Sequence, residues 1–342
     1  VTTALYRALR YQAASCADLG SPFMARLLRL LADRLSPGTP LTDRLFAWDG
    51  DLGPAGDSVP LRLAGALHAL KLGGDPALAA VYPPHDVPDA RLWQAVAQVL
   101  HTREPEIGRI LDSPPQTNEV RRSAAILSAL AWLGARWPGP ATLSELGASA
   151  GLNLMADRFA LLTPDGRLGA ADPALTLTPD WRSPPPRGAV PSIAGRRGCD
   201  LLPLDPSRDR LRILSYIWPD QPERLRLTSA ALSVAEPVVD KADAAAWIED
   251  RLAGHHVGLH MVCNTIAWQY FPTSTRERAR AAIEAAGARA TPETPLAWLA
   301  MENDGATPGA ALTLRLWPGG ELHDLGRIDF HGRWIDWRAA PL

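Results

Sequence analysis

Apolar positions recur at helical spacing through the first part of the chain. Phe23, Leu27, Leu30, Leu31 and Leu35 share one helical face, as do Leu92, Trp93, Val96, Val99 and Leu100. Val120, Ala124, Leu127, Ala131 and Gly134 form a third set, with Leu130 and Leu133 beside it. Loops rich in proline and glycine, such as residues 36–40 and 82–85, separate these sets. No alternating run of useful length and no internal repeat occurs here. The pattern predicts an all-helical subdomain over residues 1–135.

The pattern changes at Trp137-Pro138-Gly139-Pro140. A short apolar run, 141–146, predicts a strand, followed by the small-residue turn Gly147-Ala148-Ser149-Ala150-Gly151. A helical pattern covers 152–162 and ends at Thr163-Pro164-Asp165-Gly166. The proline-rich stretch 172–191 reads as an irregular insertion. Further strands are predicted at 193–199, 237–239, 258–265 and 296–301. Residues 211–235 read as mostly helical after a break at Pro219, and helices are expected around Trp247 to Leu252 and at 276–286. Leu312, Leu314 and Leu316 alternate, Pro318-Gly319-Gly320 turns the chain, and 322–330 returns as a hairpin. Strands alternating with helices predict an α/β fold. It is expected to be a Rossmann-like doubly wound sheet over residues 136–342, closed by a C-terminal antiparallel hairpin.

Composition narrows the function classes. Charged residues make up 21% and the net charge is -2, so nothing electrostatic favours a nucleic-acid or membrane-surface partner. The 12 tryptophans are therefore expected in core and pocket walls. Cys16, Cys199 and Cys263 are far apart and odd in number, which predicts reduced thiols and a cytoplasmic setting. No apolar run approaches the ~18 residues of a membrane span. His255, His256 and His260 cluster in sequence, but no carboxylate spacing completes a metal site, and none is expected.

The turn after the first strand carries the chemistry. Glu145 stands at the strand's carboxyl end, small residues let a ligand approach the backbone, and the following helix start aims N–H groups at it. Two readings fit. In one, Glu145 and the turn hold S-adenosylmethionine, whose ammonium suits an acidic residue. In the other, Gly147-x-Ser149-x-Gly151 is a nucleophile elbow, with a later acid and His323 or His331 completing an esterase. The cofactor reading is preferred, because this strand reads as the first of its sheet and a hydrolase elbow follows several.

The stretch LSELGASAGLNLMADRF resembles the central signature of an uncharacterised bacterial family, domain of unknown function 2332. PQTNEVRRSA, RRGCDLLPLD, YIWPDQPERLRL, VVDKADAAAWI and LRLWPGG with HGRWIDW extend the resemblance over most of the chain. That family resembles class I S-adenosylmethionine-dependent methyltransferases in its sheet core. The resemblance implies further positions. Asp200 and Asp205 would accept ribose hydroxyls, Asp243 would accept the adenine amino group, and Asn264 would mark the acceptor end. Trp268 and Tyr270 would wall the acceptor pocket, and Tyr270 or a histidine on the acceptor side is the candidate general base. The middle glycine of the methyltransferase turn is Ser149 here.

Asn118, Glu119 and Arg122 either cap the ligand or simply start the next helix. Asn153, on the first turn of the following helix, is expected to reach the ligand, while Asp157 with Arg158 reads as a local ion pair or a packing contact, and Arg196 and Arg197 as exposed charges. The expectation is thus a methyltransferase for a small molecule with a helical lid, possible as a homodimer. A serine hydrolase and a non-catalytic ligand-binding protein are the alternatives.

Overall fold

The computed structural model describes residues 3–254 and 256–342. The chain divides into two compact units, residues 3–117 with 208–226, and residues 118–207 with 227–342.

The first unit is helical. It contains α1 (Ala4–Asp18), α2 (Pro22–Arg34), α3 (Pro40–Phe46), α4 (Val59–Leu72), α5 (Pro76–Ala79), α6 (Asp89–Thr102) and α7 (Glu104–Leu111), with a short helix over Arg210–Ser215. Several helices start where a polar residue precedes a proline. Ser21, Thr39 and Asp75 accept N–H bonds from the first turn, and the prolines that follow sit where no N–H is needed. In the centre lies α4, which is apolar nearly all round. Between Val59 and Leu70 only Leu61 escapes burial. Gly65 on this helix is required by packing, since a Cβ there would lie 2.6 Å from the Tyr216 ring. Arg62, also buried, donates to the carbonyls of Asp57 and Leu111 and to the Asp57 carboxylate. His68 donates from Nδ1 to the Ser215 carbonyl at 3.1 Å. Burial pushes its pKa down to about 4, so the ring is neutral at pH 7.

The second unit begins with α8 (Ser123–Gly134), whose residues are all buried. The helix was expected in the helical subdomain ending at residue 135. Contacts place it with the sheet unit instead, and residues 208–226 return to the helical one. The strands follow as β1 (Ala141–Leu146), β2 (Phe159–Thr163), β3 (Gly166–Gly169), β4 (Leu175–Leu177), β5 (Asp180–Trp181), β6 (Ile193–Asp200), β7 (Val239–Lys241), β8 (Leu259–Thr265), β9 (Leu296–Glu302), β10 (Ala310–Trp317), β11 (Glu321–Ile328) and β12 (Trp334–Trp337). Nine of them form one mixed sheet in the order β5-β12-β11-β10-β9-β8-β1-β6-β7. The segment β9-β8-β1-β6-β7 is parallel throughout, while β10, β11 and β12 extend it antiparallel. From β1 the chain moves to β6 and β7 on one side, then returns to β8 and β9 on the other. The order therefore reverses beside β1.

Strand alternation assigns the two faces. Leu146, Val262, Leu296 and Trp298 point to the face packed by the helices Ala244–Ala253 and Thr273–Gly287. Leu143, Glu145, Met261 and Cys263 therefore point to the opposite face, where α8 and the segment 153–158 lie.

Two expectations fail between β1 and β6. The helix predicted over 152–162 is a 3-10 turn at Asn153–Arg158 followed by β2. The proline-rich insertion is not wholly irregular, for it supplies β4 and β5. Phe159, Ala160 and Leu161 are consecutively buried because β3 and β4 flank β2, and no local pattern reveals those partners. The charges also pair differently. Asp157 receives both guanidinium nitrogens of the largely buried Arg196 at 2.6 and 2.9 Å, and Arg158 pairs with Glu236. Among the described residues no helix is long and apolar enough to cross a membrane.

Candidate functional site

Glu145 is the penultimate residue of β1 and is only 2% exposed. One of its carboxyl oxygens, Oε2, is buried and has no hydrogen-bond partner. Burial drives its pKa up to about 8. The Arg122 cation and a hydrogen bond from Asn153 oppose the rise, and the Asp200 carboxylate adds to it. Asn153 is itself oriented, because its Oδ1 accepts the Ser123 hydroxyl at 2.7 Å and leaves the amide nitrogen for Glu145.

The turn that follows has all its N–H groups engaged. Gly147 and Ala148 both donate to the Cys199 carbonyl at 2.9 Å. Ser149 donates its N–H to Asp200 Oδ2 at 2.9 Å, and Ala150 donates to Asn118 Oδ1 at 3.2 Å. Gly151 closes the turn on the Ala148 carbonyl at 2.7 Å. No N–H from 147 to 151 is left for an anion, contrary to the picture of a helix start aiming donors at the ligand. Gly147, Ser149 and Gly151 have φ values of 73°, 52° and 70°. The glycines are further required by space. A Cβ at Gly147 would lie 2.6 Å from the Ala267 Cβ, and one at Gly151 2.8 Å from Val239.

Two carboxylates thus meet this turn, Glu145 beneath it and Asp200 across its N–H. Asn118 joins them through Ala150, and its own amide nitrogen is buried without a partner, as is the Ser149 hydroxyl. Such orphaned buried groups are costly unless something pairs with them. The surround is acidic, and with every turn N–H engaged its unpartnered donors are the neutral Asn118 amide and the Ser149 hydroxyl. It can bind an ammonium or hydroxyl groups better than a phosphate.

The other sequence-derived positions divide. Arg122 donates to the carbonyls of Phe330 and Thr265 at 3.0 and 3.1 Å, tying residues 120–122 to the end of β8 and to the loop after β11. Glu119 is buried, pairs with Arg121 and accepts its N–H. Asp243 caps the helix Ala244–Ala253 through the N–H groups of Ala245 and Ala246, and accepts the Thr275 hydroxyl at 2.9 Å. Asn264 is engaged on both sides, by Trp298 and by Glu302. Asp205 accepts the Ser207 N–H. Trp268 is half-buried beside Trp298, and Tyr270 is 73% exposed.

For an esterase, Ser149 needs a base within hydrogen-bond reach. Its hydroxyl has no partner, and the N–H after it, the usual oxyanion donor, is held by Asn118. His323 lies on β11, four strands from β1 and so roughly 19 Å away. No three histidine, cysteine or carboxylate side chains among the described residues converge on a metal position. His256 and His260 meet edge to face with ring centroids 4.9 Å apart, and His255 lies outside the described residues.

Reading the sequence missed Glu302, Ser123 and the backbone of Ile266. Glu302 stands one residue past the predicted strand end. An acidic residue at that place, followed by Asn303-Asp304-Gly305, was the available signal.

Residues 6–337 match the model of a family described as an uncharacterized protein conserved in bacteria, DUF2332. Comparison with curated proteins and with solved structures gives no match. The family match spans nearly the whole chain, and the chain belongs to this family.

Proposed function

We propose that the chain is an S-adenosylmethionine-dependent methyltransferase acting on a small molecule. The observation that carries this reading is the buried, unpartnered oxygen of Glu145 at the carboxyl end of β1, where the strand order reverses. Open parallel sheets bind ligands at such points, and the order of the five parallel strands is that of Rossmann-like folds. Glu145 would take the ammonium of the methionine part. Asp200, whose oxygens each accept a single N–H bond, retains lone pairs for ribose hydroxyls. Asn118 and Ser149 supply polar groups for the carboxylate end. The bound group would supply an electrophilic methyl on a sulfonium, and the protein's part is alignment of the acceptor.

Calorimetric titration with S-adenosylmethionine and S-adenosylhomocysteine tests the reading. Binding of both is expected, and no heat up to millimolar ligand would sink it. One observation favours a second reading, a ligand-binding protein without turnover. Asp243 and Asn264, which the methyltransferase resemblance assigns to adenine and acceptor, are already engaged in structural bonds. Binding without methyl transfer to any of a panel of amines, phenols and carboxylic acids would favour it.

A further inference from the structure

The chain after β8 follows an unfavourable path. Ile266 has φ 52°, a conformation that β-branched residues avoid. Its N–H is fixed on the Met301 carbonyl at 2.8 Å. The neighbouring residue of β9, Glu302, then gathers the loop. Its Oε1 accepts the Asn264 amide at 2.8 Å, the Ala267 N–H at 2.9 Å and the Trp268 N–H at 3.0 Å. Three donors on one carboxylate oxygen make a strong, directional clamp. Asn264 is locked in turn by Trp298, whose Nε1 donates to its Oδ1 at 2.8 Å. Held this way, Ala267 lies against the bare Cα of Gly147, the first residue of the turn after β1. Ala267 is 7% exposed, so that contact is closed to water.

We propose that Glu302 is a positioning residue of the site. It seats the loop after β8 on the turn after β1, so that the two move as one part. The inference builds on the reading of that turn as the ligand site. A residue on β9 would then set the shape of a turn it does not touch. Loss of its carboxylate lets Ala267 and Trp268 leave their places, and Gly147 loses the wall that defines its path.

Backbone hydrogen exchange and S-adenosylhomocysteine titration, on the full chain, test this. In Glu302→Ala the amides of Ala267 and Trp268 are expected to exchange about tenfold faster or more, as befits loss of charge-assisted bonds. The amides of Gly147 and Ala148 should follow, while those of β10 and β11 keep their wild-type rates. Glu302→Gln retains an acceptor oxygen and should restore most of the protection. Affinity for S-adenosylhomocysteine should fall about tenfold in Glu302→Ala and partly recover in Glu302→Gln. Faster exchange at 267 and 268 with unchanged exchange at 147 and 148 overturns the proposal, as does unchanged exchange throughout. If wild-type protein binds no S-adenosylhomocysteine, the methyl-donor reading fails, and exchange at the turn still decides on Glu302.

Discussion

Replacing Glu145 by glutamine separates the chemistry of the site from its packing. Glutamine has nearly the shape of a protonated glutamate, and the buried Glu145 is mostly protonated below about pH 8. The substitution should therefore leave the fold intact at pH 7. Moving a carboxyl from 4.5 to about 8 corresponds to a preference for the neutral form on the order of 5 kcal/mol. In the unfolded chain the same group ionises near 4.5. Stability from this preference is fully present below that value and is lost as pH rises through about 8. Across that window wild-type stability should fall relative to Glu145→Gln by about 1.4 kcal/mol per pH unit, then level off. Chemical denaturation of both proteins at pH 5, 6, 7 and 8 reads the difference. Binding of an ammonium has the converse linkage. To meet the cation Glu145 must ionise, so S-adenosylmethionine should bind about tenfold more tightly per pH unit between pH 6 and 7, with release of close to one proton. Calorimetry in buffers of different ionisation enthalpy measures that proton. The glutamine variant should bind weakly and without proton release. A stability difference that is flat with pH would refute the placement of Glu145 as a neutral buried acid. Binding with no proton release in wild type would refute its contact with the ammonium.

Four other substitutions probe the surroundings. Gly147→Ala combines a φ of 73° with a Cβ placed 2.6 Å from Ala267, and should cost about 2 kcal/mol or more in denaturant unfolding. Ser149→Gly relieves a left-handed residue and removes an unpartnered hydroxyl, so it should stabilise by about 1 kcal/mol. Ser149→Ala should leave any hydrolysis of nitrophenyl esters unchanged, whereas its abolition would establish the serine as a nucleophile. Asp243→Ala removes a helix cap and the bond to Thr275 together, and should lower unfolding free energy by about 2 kcal/mol.

Much of the architecture was legible in the chain. The amphipathic sets around Phe23 and Leu92 became α2 and α6, and the apolar runs at 141–146, 258–265 and 296–301 became the central parallel strands, within a residue at their ends. These elements carry their own periodicity. What failed was the stretch after the turn, where β2 depends on β3 and β4 for its form, and residues 208–226, whose partners lie far back in sequence. Glu145 announced itself by its place before a small-residue turn. Its pairing with Asn153, which the Ser123 hydroxyl orients, could not be read, because it depends on how α8 meets the sheet. The engagement of every N–H in the turn was equally hidden. Cys199, Asp200 and Asn118 supply the acceptors for all but Gly151, from segments as far as 52 residues away in the case of Cys199 against Gly147.

The discontinuity of the helical unit bears on the order in which the protein can be made. Residues 3–117 leave a ribosome long before 208–226 do. Until the later segment emerges, His68 lacks the Ser215 carbonyl, Gly65 faces a vacancy where the Tyr216 ring belongs, and the Ser21 hydroxyl and Phe23 N–H lack the Asp220 carboxylate. The nascent unit must therefore wait, incompletely closed, while β1 and β6 are synthesised. A fragment cut at the apparent helical boundary would carry that open seam permanently and is expected to aggregate.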